Sequence, residues 1–290
     1  MLFGNLKKLI QYRQFNSFLH DTYNHISIPE ALQNSQCYCN KVNDFLPEEL
    51  SLDQEAPLPR RIPVYKRHIA LISPHGDKEW QVKWGKNLKL NETWPYNSLK
   101  FLQGKLNMNG TPTLLSAISL QKSDIQGLAR RNNKDLTFFL SIPEMKIYEV
   151  HETELDMFAN FLNGESNWAP EKTKETKKDW LFICGHMQRD ERCGIVGPAI
   201  LEELKKNHLC PENNMALISH IGGHKFAGNI IVYKQVQKTD QKSGNVDRKL
   251  VDCLWFSKVF PTNISMVCEN LRKNVIIEEL YRGGTELISD

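Results

Sequence analysis

What the chain lacks narrows its class first. No run approaches the roughly 18 apolar residues of a membrane-spanning helix. The longest apolar stretches, Leu136–Leu140 and Ile230–Tyr233, have the length of strands. Cysteine is scarce and odd in number, 7 in 290 residues, which excludes a disulfide-built scaffold. No Cys-x-x-Cys follows a strand pattern, so an ordinary thioredoxin disulfide site is absent. Glycine (16) and proline (13) are not in excess, which argues against fibrous repeats and global disorder. Neither charge dominates, with 37 basic residues against 34 acidic ones. That balance is too even for a dedicated nucleic-acid binder.

One absence is local. Residues 1–20 contain Lys7, Lys8 and Arg13 but no acid, and the first carboxylate is Asp21. Removing those three from 37 basic residues leaves 34, equal to the 34 acidic ones, so the rest of the chain is formally neutral. Leu2, Leu6 and Leu9, with Phe3 and Ile10 beside them, make one apolar helical face. A basic, acid-free, amphipathic start reads as a mitochondrial presequence over residues 1–20. It has no continuous apolar core of the kind a secretory signal needs.

Residues 21–66 are proline-punctuated and irregular. Beyond them the periodicity is regular: a strand at 67–73, a helix at 95–107, a strand at 113–120, and a hairpin of 136–142 with 146–150. A helix ending near Gly164 follows, with Thr153 as its cap. Residues 165–179 are lysine-rich and read as a linker or solvated loop. The order then returns: a strand at 180–184, a helix opened by Gly197-Pro198, and a strand at 215–219. A hairpin of 229–236 with 251–259 and a helix capped by Thr262 complete it. The expectation is an α/β protein of two thioredoxin-like β-α-β-β-β-α units, 67–164 and 180–290, each a sheet with helices outside.

Metal-ligand residue types concentrate in the second unit. Cys184 ends its first strand and Cys193 follows after eight residues. His220-Ile-Gly-Gly-His224 comes 26 residues later. Strand-end loops of an α/β sheet are where ligands gather, so two thiolates and two imidazoles from adjacent loops form a four-donor set. Gly222-Gly223 makes a helix between the histidines improbable and permits a tight loop with backbone close to a bound group. Taken singly, the histidines also read as polar loop residues and Cys184 as a small buried hydrophobe.

The combination C-x8-C with H-I-G-G-H-x-F-A-G-N resembles the sucrase/ferredoxin-like family, relatives of the thioredoxin-like [2Fe-2S] ferredoxins. The stretches carrying it are Cys37-Tyr38-Cys39, F-I-C-G-H…R-D-E-R-C-G, P-E-N-N-M-A-L-I-S-H-I-G-G-H and Tyr281-Arg282-Gly283-Gly284. The resemblance implies a [2Fe-2S] cluster held by Cys184, Cys193, His220 and His224, in the C-terminal unit only. Two neutral imidazoles in place of thiolates raise the potential; Rieske centres lie at roughly −150 to +300 mV, against about −400 mV for plant-type ferredoxins. The free ring nitrogens couple reduction to protonation. Arg189, Arg192 and Lys225 are candidates to tune the site, or else are solvated at the surface or form salt bridges to Asp190 and Glu191. His186, Gly222, Gly223 and Asn229 are candidate supporting residues, and Cys184-Gly185-His186 also echoes half a Rieske motif.

The implied function is mitochondrial electron transfer or redox sensing, in the matrix or intermembrane space, with protein redox partners and no evident small-molecule substrate. Two other readings stand beside it. One is a structural Cys2His2 zinc site in an assembly module; the other is thiol redox chemistry at Cys37 and Cys39, which are too close for an easy mutual disulfide. Cys253 and Cys268 read as core residues, and Cys210 has no evident partner.

Overall fold

Successive residues of Arg67–Ile72 send their side chains to opposite faces, and both faces are buried. Ile69 and Leu71 join one apolar cluster, while Ala70 and Ile72 join another. That is why the strand reads as an unbroken apolar run rather than an alternation. The same holds for Trp180–Cys184, and it sets the architecture.

The computed structural model describes residues 12–14, 23–28, 46–53, 56–80, 92–106, 112–122, 135–236 and 249–289. The strands are β1 (Tyr12–Gln14), β2 (Asn24–Ile26), β3 (Arg61–Pro63), β4 (Arg67–Ile72), β5 (Thr113–Lys122), β6 (Leu136–Ile142), β7 (Lys146–His151), β8 (Thr173–Glu175), β9 (Trp180–Cys184), β10 (Asn214–Ile218), β11 (Ile230–Val236), β12 (Leu250–Phe256), β13 (Val275–Ile277) and β14 (Tyr281–Ile288). The helices are α1 (Asn97–Leu106), α2 (Leu155–Leu162), α3 (Glu191–Lys206) and α4 (Ile264–Arg272).

Ten strands form one sheet in the order β14-β12-β11-β9-β10-β5-β4-β6-β7-β8. Each half has a parallel central pair, β4 with β5 and β9 with β10, followed by antiparallel additions outward. The halves join through antiparallel β5 and β10, where Ile118 faces Ile218. Each half also has a fifth strand beyond the expected elements. Residues 173–175, expected in a linker, pair with β7, and the tail strand β14 pairs with β12. Thr173, Lys174 and Glu175 are all exposed, which suits an edge strand guarded by charge. Thr176 just beyond is buried.

The four α-helices among the described residues lie on one face. Leu102, Phe158, Ile200 and Val267 pack with Leu71, Phe139, Ile183 and Leu254. The expected arrangement had helices outside each separate sheet; here the opposite faces of the two halves cover each other instead. His68 on β4 hydrogen-bonds Tyr233 on β11 at 2.7 Å. Four strand spacings of about 4.8 Å would hold these residues about 19 Å apart in a flat sheet. The sheet therefore curls until its inner face closes on itself.

That inner core holds a polar chain. Tyr65 meets Tyr233 at 3.0 Å and the Cys253 sulfur at 2.9 Å, and the Trp255 indole N–H donates to Tyr65. The other His68 nitrogen meets the Ser116 hydroxyl at 2.7 Å. Burial lowers the pKa of His68 to about 3. An unfolded histidine titrates near 6.5, so between these values the unfolded chain binds the extra proton, and stability falls as pH drops. We expect about 1.6 kcal/mol less stability at pH 5 than at pH 6.5 from this residue, with the slope rising toward about 1.4 kcal/mol per pH unit below the unfolded pKa. Urea midpoints of the wild type and a His68→Gln variant check it. The variant should start less stable and lose most of that slope; an equal slope would remove His68 as its source.

Several local expectations are corrected. The third helix begins at Glu191, not at Gly197, and carries Pro198 in its interior. Its start is fixed by Asp190, whose carboxylate accepts the Arg192 N–H. The turn before α2 is capped by His151, not Thr153. Asn263, not Thr262, sits at the start of α4, with its side-chain oxygen on the Phe260 N–H. Cys268 is not simply a core residue and Cys210 is not partnerless, because the two form a disulfide across 58 residues. No helix among the described residues is long and apolar enough to cross a membrane.

Candidate metal centre

The ends of β4 and β9 reach the same level of the sheet from opposite directions. The Ser73 N–H donates to Ile118 O at 2.8 Å, and the Gly185 N–H to Ile218 O at 3.2 Å. Ile118 and Ile218 are themselves paired across the seam. Ile72 therefore occupies in the first half the place of Cys184 in the second. An apolar residue at that position offers no metal donor, which gives a physical reason for expecting chemistry in one half only.

Cys184 is fully buried at the end of β9. Cys193, expected in a loop, lies in the first turn of α3 and is also fully buried. The helix approaches the strand closely. A Cβ on Gly197 would lie 2.3 Å from the Cys184 carbonyl oxygen, and one on Gly194 would lie 2.5 Å from Met187. These two glycines let the first turns of α3 sink onto the β9 loop, bringing the two thiols into mutual hydrogen-bond contact. The Cys193 hydrogen bond pulls the Cys184 pKa well below the usual thiol value, with His220 adding to the effect. Sharing with Cys184, together with burial, pushes Cys193 up.

His220 follows β10, and its side chain touches the Cys184 sulfur. His224 opens a single helical turn after Gly223. Gly222 (φ 85°) and Gly223 (φ 75°) are both left-handed, a conformation for which glycine carries no Cβ penalty. The double turn brings the two imidazoles to 5.1 Å between ring centres. The Nδ1 atoms of both rings are buried and make no hydrogen bond. The Nε2 of His224 lies 4.0 Å from the Asp190 carboxylate, the outer partner that a metal-binding imidazole commonly has. Burial lowers the His224 pKa, against the pull of Asp190. Its side chain is 41% exposed, so the site reaches solvent at this edge.

The supporting residues differ in what they do. His186 is buried, and its Nδ1 accepts the backbone N–H of His220 at 3.1 Å. Trp80 from the first half packs edge-on to the His186 ring at 5.7 Å, its indole N–H tied to Ser73 at 3.0 Å. Asn229 is buried, donates to Gly223 O at 3.1 Å and hydrogen-bonds the Cys193 sulfur. Arg192 holds Asp190 with two bonds of 2.9 Å. Burial opposes the charge of that carboxylate, yet Arg192 keeps its pKa below normal. Arg189 adds a nearby positive charge that disfavours protonated His224. Lys225 is exposed and lies over Phe226.

Sequence reasoning did not single out Trp80 and met Arg282 only within the Tyr281-Arg282-Gly283-Gly284 stretch, with no role at the site; the fold brings both here from distant segments. It named Asp190 only as an ion-pair partner. Cys37 and Cys39 lie outside the described residues, as does the expected presequence apart from 12–14, which pair with β3. Among the described residues, no three His, Cys, Asp or Glu side chains converge as one metal ion requires. The four donors stand instead as a thiol pair beside an imidazole pair.

A family model described as sucrase/ferredoxin-like matches residues 58–283. The chain belongs to the sucrase/ferredoxin-like family. Altered inheritance of mitochondria protein 32 of Saccharomyces cerevisiae (strain ATCC 204508 / S288c) is 36% identical over 320 aligned positions. The alignment covers 97% of this chain and 99% of that protein. The protein of the same name from a Saccharomyces kudriavzevii strain is 37% identical over the same shares. No solved structure matches. The sucrase/ferredoxin-like match takes in all four donors, Asp190, Asn229 and Arg282, and it spans both halves of the sheet.

Proposed function

We propose that the chain is a mitochondrial [2Fe-2S] protein that passes single electrons or reports redox state to protein partners. Cys184, Cys193, His220 and His224 are its ligands. The observation that carries this is the pairing of donors. Two buried thiols share a hydrogen bond, and beside them lie two imidazoles whose buried Nδ1 atoms make none. Buried polar atoms are ordinarily satisfied, so two such nitrogens side by side mark a place for a bound electrophile. Two-and-two pairing favours both thiols on one iron and both imidazoles on the other.

When bound, such a cluster stores and returns one electron, at a potential raised by its imidazole ligands. The chain's own residues do the rest. Asp190 orients His224, His186 fixes the backbone of His220, and Asn229 ties the glycine loop to Cys193. The exposed edge of His224 is where a partner would approach and where a proton would enter or leave.

The reading includes two thioredoxin-like units, 67–164 without a cluster and 180–290 with it, joined by 165–179. The equal strand order of the halves supports this. Mitochondrial residence is supported by the names of the relatives and by the basic, acid-free first 20 residues. The test is anaerobic purification followed by iron and sulfide analysis and paramagnetic resonance of the reduced protein. We expect about two irons per chain and a rhombic signal. Protein that stays colourless and iron-free after reconstitution would refute the reading, and stoichiometric zinc in its place would establish the structural-metal alternative.

A further inference from the structure

We infer that Arg282 is the positioning residue that places a buried positive charge against the histidine loop and so sets the reduction potential of the site. The inference rests on the cluster reading above.

The first support is how the residue is aimed. In the β12–β14 ladder, Trp255 faces Gly283 and Phe256 faces Tyr281. Arg282 is therefore the extra residue of a β-bulge. Bulges re-aim a side chain and concentrate beside functional sites. Gly283, at φ 140°, takes the backbone twist that follows. Without the bulge, every later residue of β14 would exchange faces.

The second support is where the guanidinium lands. Arg282 is only 4% exposed. Its Nη1 lies 3.5 Å from Gly222 O and 3.5 Å from Asn229 Oδ1. The guanidinium carbon lies 5.7 Å above the Trp255 ring, a cation–π arrangement. A Cβ on Gly223 would stand 2.8 Å from Nη1, so the glycine between the two histidines makes the room this cation occupies. Asn229 also accepts from Ser257 and reaches the Cys193 sulfur. Arg282 thus touches the imidazole loop directly and the thiol pair through one amide.

The three basic residues singled out from sequence are placed differently. Arg192 is held by Asp190, Lys225 is exposed, and Arg189 is only part-buried. A charge at a low-dielectric position acts more strongly than one in water. Adding an electron makes the site more negative, so a fixed cation beside it favours the reduced state.

The experiment compares Arg282→Gln and Arg282→Lys in the cluster-loaded protein. Iron content is measured first and the midpoint by spectroelectrochemistry second. Arg282→Gln should load and become about tenfold harder to reduce, a fall of about 59 mV for one electron. Arg282→Lys keeps the charge and should restore most of that shift. A loaded Arg282→Gln protein with the wild-type midpoint would overturn the inference while leaving the cluster reading intact. Equal shifts in both variants would also overturn it, because then shape and not charge is at work. If Arg282→Gln does not load, Arg282→Lys decides: a wild-type midpoint supports the charge role, and failure to load refutes it. Wild-type protein without iron overturns both readings together.

Discussion

Cys184→Ser should give a folded protein that binds no cluster. The substitution removes one buried sulfur from the end of β9 and leaves the ten-strand sheet and both apolar clusters in place. A buried hydroxyl in place of a thiol costs about 1–3 kcal/mol, which a domain of this size tolerates in part. The loss of iron should be near complete, because serine offers no thiolate and the neighbouring Cys193 is left without its partner. Iron analysis and visible absorbance read the loss, while far-ultraviolet circular dichroism and the thermal midpoint separate it from unfolding. A Cys184→Ser protein with full iron and an unchanged spectrum would exclude this residue as a ligand.

The second large effect is on potential rather than occupancy. His220→Cys combined with His224→Cys should keep the cluster and lower its midpoint by hundreds of millivolts. Such a change spans the distance between Rieske centres, at roughly −150 to +300 mV, and plant-type ferredoxins near −400 mV. Gly222 and Gly223 already give the loop the turn it needs, so the shorter cysteine side chains ask only a small inward shift of it. An unchanged midpoint in the loaded double variant would mean that the imidazoles are not ligands.

The parts legible in the sequence were those with local causes. Strand runs such as Trp180–Cys184 declare themselves by being apolar on both faces, and Gly222-Gly223 declares a tight loop by its lack of Cβ atoms. The donor residues were legible because spacing and residue type suffice to propose them. What escaped was set by register and by long-range closure. Pro198 suggested a helix start because proline favours first turns, whereas the Asp190 cap begins α3 two turns earlier. Edge strand β8 is charged and short, so its pairing with β7 leaves no apolar pattern to read. The Cys210–Cys268 bond joins segments 58 residues apart, and no spacing rule pairs them. Arg282 sits in a recognisable Tyr-Arg-Gly-Gly stretch, but its direction depends on a bulge that only the partner strand reveals.

The curl of the sheet has a consequence for how this chain can be divided. The inner face of each half is the other half's shelter: Phe138 and Leu140 on one side share a cluster with Phe182 and Trp255 on the other. A fragment cut between α2 and β9 would present that whole face to water, an apolar area of the kind that drives aggregation. It would also lose Trp80, and with it the wall behind His186. The half without the four candidate ligands thus covers the apolar inner face of the half that holds them, so a cut between the halves should destabilise both.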